Sequence, residues 1–246
     1  MLPVLQLGPL SLPVQPFLLL LGILLGMWAS EKFVPSHGID ASRLSNLVTL
    51  AFGAGLLGAR MGFVLRHSAA FASNPLSVFA LSLQMLDLDA GLLVGVLAAI
   101  VYAQKFSLPA WQLLDAFTPA LAIFAVTFWL GAFASGDAYG APTSLPWAIP
   151  LWGAMRHPTQ LYAVAGAALA AWLSWPRAAA ARIPGLQFLT FCAWSATYLM
   201  INEAWRGDPT THLFGAVRSG QVFAWLLLGA SLYLFGRRKR SAQQKH

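Results

Sequence analysis

An all-α integral membrane bundle is the fold class this sequence predicts, and three observations predict it. Charged residues make up 9% of the 246-residue chain, against roughly 25% in soluble domains. Hydrophobic residues make up 58%, and the mean hydropathy is +0.66. Apolar runs of bilayer-spanning length recur seven times, at about 13–30, 44–65, 88–104, 111–135, 159–175, 185–203 and 220–236. No internal repeat or low-complexity linker separates them, so residues 1–246 are expected to form a single transmembrane domain of seven transmembrane helices.

Taken in order, each run carries its own signals. The first follows neither a basic n-region nor a cleavage site, so it reads as a retained span rather than a signal peptide. A turn at Pro35-Ser36-His37-Gly38 separates it from the second. That second run holds Arg60, flanked by glycines at 53, 55, 58 and 62. An intramembrane arginine costs several kcal/mol unless it is paired or snorkels to the interface. Snorkelling is one reading. The other follows from Gly58 and Gly62, whose small-xxx-small spacing lets a second helix approach closely and turns Arg60 inward. After the turn formers Ser73-Asn74-Pro75, the third run opens on Asp87 and Asp89, ahead of Gly91 and Gly95. Carboxylates at a helix start are often plain caps, and Asp115, where the fourth run begins, reads the same way. The fifth run is short. The sixth contains Cys192, the sole cysteine, which excludes a disulfide framework and a thiolate metal site and reads as a small buried hydrophobe. It ends on Glu203, with Arg206 three residues on as a ready counter-charge set for Arg60. A turn at Gly207-Asp208-Pro209 leads to the last run and then to a basic tail, 237–246.

The net charge of +7 raises the question of nucleic acid. The basic residues answer it by clustering at the tail, which suits anionic headgroups or topology, so no nucleic-acid partner is expected. Counting Lys and Arg on alternate sides gives Lys32, Arg43, Lys105, Arg177, Arg182, Arg237, Arg238, Lys239, Arg240 and Lys245 on one, ten in all. The other has four: Arg66, Arg156, Arg206 and Arg218. By the positive-inside rule the first side is cytoplasmic. The N-terminus and the 136–158 loop then face outward, into the periplasm of a bacterium, and the C-terminus is cytoplasmic.

That loop is the polar centre of an apolar chain. It holds Asp137, Tyr139, Arg156 and His157 between Gly136 and Gln160-Leu161-Tyr162, and prolines at 142, 146 and 150 bar it from being one helix. A non-helical segment between two spans lies at a water interface or is walled in by protein. It is either an ordinary extramembrane connection or a substrate-handling loop. His157 likewise is either a working group or a loop anchor bonded to a nearby carbonyl.

Several segments, in order along nearly the whole chain, resemble the prolipoprotein diacylglyceryl transferase family of the bacterial inner membrane. Gly58-Ala59-Arg60-Met61-Gly62-Phe63-Val64-Leu65 is similar to the family's Gly-Ala-Arg segment, and Asp115-Ala116-Phe117-Thr118-Pro119 to its Asp-x-x-x-Pro. Gly136-Asp137-Ala138-Tyr139-Gly140 with Leu145-Pro146-Trp147 resembles its Gly-Glu-x-Tyr/Trp-Gly … Leu-Pro-Trp loop. Arg156-His157-Pro158-Thr159-Gln160-Leu161-Tyr162 is the most specific match, to Arg-His-Pro-Ser/Thr-Gln-Leu-Tyr. Glu203-Ala204-Trp205-Arg206 and Gly220-Gln221 resemble its C-terminal Glu-x-x-Arg and Gly-Gln segments. The resemblance implies transfer of a diacylglyceryl group from phosphatidylglycerol to a lipobox cysteine of a prolipoprotein signal peptide, with release of glycerol phosphate. It implies no cofactor or metal, a bacterial inner-membrane location, and a monomer. The chemistry needs a base or positive charge to make the thiolate, and cationic donors where the phosphate leaves.

Against that pattern, several polar family positions are replaced. The family's His-Gly-Gly aligns with Asp89-Ala90-Gly91, and its Gly-Arg-Ile-Gly-Asn-Phe with Phe128-Trp129-Leu130-Gly131-Ala132-Phe133. A span-one tyrosine falls near Gln15, an arginine on Leu199, and the acidic residue closing the His-Pro motif on Ala163. The resemblance therefore nominates Asp89, Glu203, Arg206, Arg156 and His157 for catalysis. It nominates Arg60, Trp129, Gly136, Asp137, Tyr139, Gly140, Gln160 and Tyr162 for substrate binding. Three outcomes are open: the same reaction with a rearranged set, a related transferase with another acceptor or headgroup, or a non-catalytic relative that binds lipid or protein.

Overall fold

The computed structural model describes residues 4–7, 10–72, 75–79, 85–176, 183–209, 212–214 and 217–244. Ser73, Asn74, Arg177, Arg182 and Lys245, used above for turns and charge, lie outside them. The chain opens with a hairpin, β1 (Val4–Leu7) and β2 (Leu10–Pro13), leading into α1 (Val14–Phe33). Helix α2 (Ala41–Arg66), the short α3 (Ser68–Ala72), α4 (Leu88–Lys105) and α5 (Ala110–Ser135) follow. A second hairpin, β3 (Ile149–Leu151) with β4 (Ala154–Arg156), precedes α6 (Thr159–Ser174) and α7 (Leu186–Glu203). A third, β5 (His212–Phe214) with β6 (Val217–Arg218), leads into α8 (Ser219–Gln243).

Helices thus cover all seven apolar runs, and five of them are long and apolar enough to cross a membrane: α1 with its 3-10 extension, α2, α4, α5 and α8. Helix α6 has 16 residues, and α7 is diluted by Gln187, Asn202 and Glu203. The protein is an all-α, multi-pass membrane bundle ornamented by three hairpins. The basic tail begins within a helix. Its Arg-Arg-Lys-Arg run continues α8, and Arg238 donates to Pro184 O at 3.0 and 2.9 Å.

The chain packs as two compact units, Gly38–Leu113 and the remainder, Met1–His37 with Leu114–His246. In the first, α2 lies on α4 along the glycine seam: a Cβ at Gly58 would stand 2.5 Å from Val94 Cβ, and one at Gly62 2.3 Å from Ala90 Cβ. Small residues take the place of a hydrophobic driving force here, because lipid is as apolar as any leucine face. In the second unit Pro119 breaks the ladder of α5, since it has no N–H and crowds the carbonyl four residues back. Both freed groups find partners. Ala120 N donates to Ser30 Oγ at 3.2 Å, and Asp115 O accepts from Gln187 Nε2 at 3.3 Å.

Asp115 corrects the expectation of a plain cap on its own helix. It lies inside α5 and caps α7 instead, accepting from Gly185 N at 2.6 Å and Phe188 N at 2.8 Å. Gly185, at the N-cap with φ 94°, has no side chain to do this. Asp87 is the conventional cap of α4, accepting from Ala90 N at 3.0 Å.

Candidate active site

The polar loop is built on backbone pairing. Helix α5 closes at Gly136, whose φ of 82° suits glycine. Residues 139–143 then run between two other segments. On one side Ala141 N donates to Trp205 O and Gly207 N to Tyr139 O, both at 2.8 Å. On the other, Thr143 N donates to Met155 O at 2.9 Å and His157 N to Ala141 O at 3.1 Å. This three-stranded arrangement requires close approach: a Cβ at Gly140 would sit 2.3 Å from His157 O, and one at Gly207 2.6 Å from Gly140 O.

Side chains brace the same frame. The Arg156 guanidinium lies over the Tyr139 ring, 4.8 Å from its centroid, and donates to Leu151 O at 3.0 Å and Gly140 O at 3.2 Å. Buried Gln160 donates to Asp137 O at 2.7 Å, and the Asp137 carboxylate accepts from Ser135 Oγ at 2.7 Å. His157 stacks on Trp205 with ring centroids 6.2 Å apart, and its Nδ1 faces Tyr162 Oη at 3.5 Å. Its ring is therefore held by aromatic neighbours and a phenol, while its backbone N–H holds the Ala141 carbonyl.

The charges gather where α7 ends. Arg206 joins two carboxylates: Nη1 donates to Glu203 Oε1, while Nε bonds Asp208 Oδ1 at 2.9 Å and Nη2 bonds Asp208 Oδ2. Burial alone would pull its pKa down, but the Asp208 and Glu203 carboxylates outweigh this and hold it above the ordinary arginine value. Arg218 stands 4.0 Å from Glu203 Oε2 and donates to Arg206 O at 2.6 Å. Glu203 lies against the start of α8, where a Cβ on Gly220 would meet its carboxyl carbon at 2.8 Å; the helix N-terminus favours that negative charge.

Of the remaining nominated residues, Arg60 and Asp89 belong to the unit Gly38–Leu113 and Trp129 to α5. Arg60 is buried in its unit, as an inward reading requires, but its partners are carbonyls: Ser77 O at 2.6 Å, Val78 O at 2.8 Å and Met85 O at 3.1 Å, with Phe71 5.3 Å from its Cζ. These carbonyl dipoles surround its guanidinium, and Glu203 has Arg206 and Arg218 as partners within its own unit. Asp89 lies in the first turn of α4 with an 85% exposed side chain, 3.9 Å from Arg66, which binds Asp87 at 2.7 Å. Trp129 is buried among Ala132, Ala163, Ala167 and Leu199, and its Nε1 donates to Tyr198 Oη at 3.3 Å. Asp208, Arg218, Trp205 and Tyr198 were not singled out from sequence; Asp208 follows Arg206 in a turn and Arg218 precedes a Gly-Gln step, the only signals present.

Comparison with known proteins places this frame in a lineage. The family model described as prolipoprotein diacylglyceryl transferase matches residues 3–237. The chain belongs to that family. Among similar relatives of the prolipoprotein diacylglyceryl transferase family, a phosphatidylglycerol–prolipoprotein diacylglyceryl transferase of Nitratidesulfovibrio vulgaris is 28% identical over 97% of this chain and 94% of its own length. One of Bordetella parapertussis is 30% identical over 96% and 95%. A third, of Sinorhizobium medicae, is 28% identical over 79% and 75%. Membership of a diacylglyceryl transferase family of multi-pass membrane proteins thus agrees with the resemblance that the loop and the Arg-His-Pro segment carried.

Proposed function

We propose that this protein is a phospholipid-dependent transferase of the bacterial inner membrane. It binds phosphatidylglycerol and a prolipoprotein signal peptide and moves the diacylglyceryl group onto the lipobox cysteine. The thiolate sulfur attacks the diacylglyceryl carbon bound to the phosphate oxygen. A carbon–sulfur bond forms, the carbon–oxygen bond breaks, and glycerol phosphate leaves with that electron pair. The thiol proton goes to a base, assigned here to Asp89, which occupies the family histidine's position. Arg206 or Arg156 supplies the positive charge for the departing phosphate, and Arg60 keeps the substrate-binding role that the resemblance gives it. Glu203 and His157 orient the guanidinium and loop groups, and Gly136, Asp137, Tyr139, Gly140, Gln160, Tyr162 and Trp129 are assigned to substrate binding. The protein acts as a monomer, a single domain of seven spans with the N-terminus and the 136–158 loop in the periplasm and the C-terminus in the cytoplasm. The observation that carries this reading is the backbone lock between residues 139–141 and 205–207, which joins the loop's Arg156 and His157 to the Glu203–Arg206 pair.

One observation favours a second reading. Trp129, Ala132, Ala163 and Leu199, which the resemblance aligns with polar family residues, all lie in one apolar cluster. Replacing a preorganised donor costs about 10²–10³ in rate, and here several have gone together. The cluster supports a transferase with another acceptor or headgroup, or a lipid-binding relative without catalysis.

Expression in cells depleted of their own transferase separates the readings. Rescue of growth and lipoprotein mass is expected on the first reading; weak or no rescue is expected on the second, and there Trp129→Arg alone is expected not to restore it. Full rescue by the unmodified chain would refute the idea that the replaced positions held the phosphate. With labelled phosphatidylglycerol, release of glycerol phosphate without lipoprotein modification assigns a different acceptor. Lipid retained without turnover assigns the binding role.

A further inference from the structure

The segment between α5 and α6 has a property that transfer chemistry does not explain. Residues 141–155 contain no Asp, Glu, Lys, Arg or His. Their large side chains face outward, with Trp147 57%, Trp152 64% and Met155 49% exposed. The β3–β4 turn has positive φ at both central residues, 51° at Trp152 and 74° at Gly153. Asn-Gly or Asp-Gly ordinarily fills such a turn, and a bulky residue at its first centre is strained. An outward tryptophan held there against that strain is a displayed side chain.

Both indoles are fixed by their polar ends to the termini of the flanking helices. Trp152 Nε1 donates to Gly136 O at 3.0 Å, one residue past the end of α5. Trp147 Nε1 donates to Tyr162 Oη at 2.7 Å, in the first turn of α6. The N–H ends thus lie at the level of the helix ends, with the rings bare. Helix α6 sharpens the point. Its 16 residues reach about 24 Å at ~1.5 Å each, short of a hydrocarbon core of ~30 Å. A helix that short draws the segment feeding its N-terminus toward the acyl region. Backbone polarity there is already met, by the hairpin's own pairing and by Arg156 Nε on Leu151 O, as a low-water setting demands.

We propose that the 145–155 hairpin is seated in the headgroup layer of the adjoining leaflet, with Trp147 and Trp152 as paired interfacial anchors. Its partner is the lipid surface itself, which tryptophan suits through an apolar body and a single polar N–H. This rests on α5 and α6 crossing the bilayer, as proposed above.

The test uses the full chain with Cys192→Ser, reconstituted in phosphatidylcholine–phosphatidylglycerol vesicles. A spin label is placed in turn through Trp152→Cys, Met155→Cys, Pro209→Cys in the 207–209 turn, and Leu169→Cys on the exposed face of α6. Collisions with oxygen are compared with those of a water-soluble nickel chelate. Positions 152 and 155 are expected to favour oxygen, as position 169 does, while position 209 favours nickel. Should Trp152→Cys disturb the turn, position 155 decides, because Trp152 is intact there. Nickel-favouring values at position 155 with oxygen-favouring values at 169 overturn the anchor and leave the transmembrane reading standing. Nickel-favouring values at both overturn the crossing of α6 and the anchor with it. Water-exposed positions that become shielded when a lipobox peptide is added would also overturn it, assigning the hairpin to the peptide.

Discussion

Replacing Arg206 by lysine keeps the charge and removes the fork, so it isolates what the guanidinium geometry contributes. Arg206 reaches Glu203 through Nη1 and Asp208 through Nε and Nη2. Their side chains are 18%, 7% and 15% exposed for Arg206, Glu203 and Asp208. A lysine ammonium is a point charge and cannot hold two carboxylates at opposite ends of a planar group. At least two charge-assisted contacts go, each contributing about 1.5–3 kcal/mol. Taking the low end, because the lysine keeps one contact, gives about 3 kcal/mol. For a chain of this size each kcal/mol moves the midpoint by roughly 2–4 °C, so the loss is about 6–12 °C. Cys192, the sole cysteine and buried, makes the assay: a thiol-reactive fluorophore reports its exposure on heating in detergent. A midpoint within about 2 °C of the parent would refute the argument that the fork holds this corner together. The pH dependence adds a sign. A pKa raised on folding contributes stability at every pH below the ordinary arginine value. Arg206's own share should therefore be constant from about pH 6 to 9.

The cluster around Trp129 predicts a loss of about 3–5 kcal/mol for Trp129→Ala, read by the same thermal assay, since a buried indole leaves a cavity its alanine neighbours cannot fill. Gly140→Ala should loosen the loop and speed trypsin cleavage at Arg156, because the new Cβ falls 2.3 Å from His157 O; Gly229→Ala, with nothing within 4 Å, should leave the digestion pattern unchanged. Asp115→Ala should destabilise by about 1–2 kcal/mol through loss of the cap on α7. Hydrogen exchange should rise first at Gly185 and Phe188, and unchanged protection there would count against the assignment.

What sequence could reveal depended on whether cause and effect lay close together in the chain. The seven apolar runs, the Gly58–Gly62 seam and the proline-broken loop are all local patterns, and each has its counterpart in the structure. The inward turn of Arg60 followed from the glycines beside it, but its carbonyl partners did not, because every residue offers a carbonyl and none advertises it. Asp115 looked like any acidic residue at a helix start; its targets lie about seventy positions downstream. The union of Trp129, Ala132, Ala163 and Leu199 was equally hidden, since three helices must come together before those substitutions become one packed cluster. The pairing of Asp208 and Arg218 with Arg206 was hidden for the same reason, since both read as ordinary loop charges until the fold joins them.

The cap on α7 has a consequence for how the chain is made. Gly185 offers that helix no side chain of its own, and α7 is not among the five helices apolar and long enough to settle in lipid unaided. Two of its leading amide groups, Gly185 N and Phe188 N, are met by a carboxylate synthesised some seventy residues earlier, on a helix that is itself strongly apolar. The order of synthesis therefore puts the capping carboxylate in the chain before the helix that it caps. Until α7 follows, that carboxylate in α5 lacks the two amide donors it holds in the folded chain.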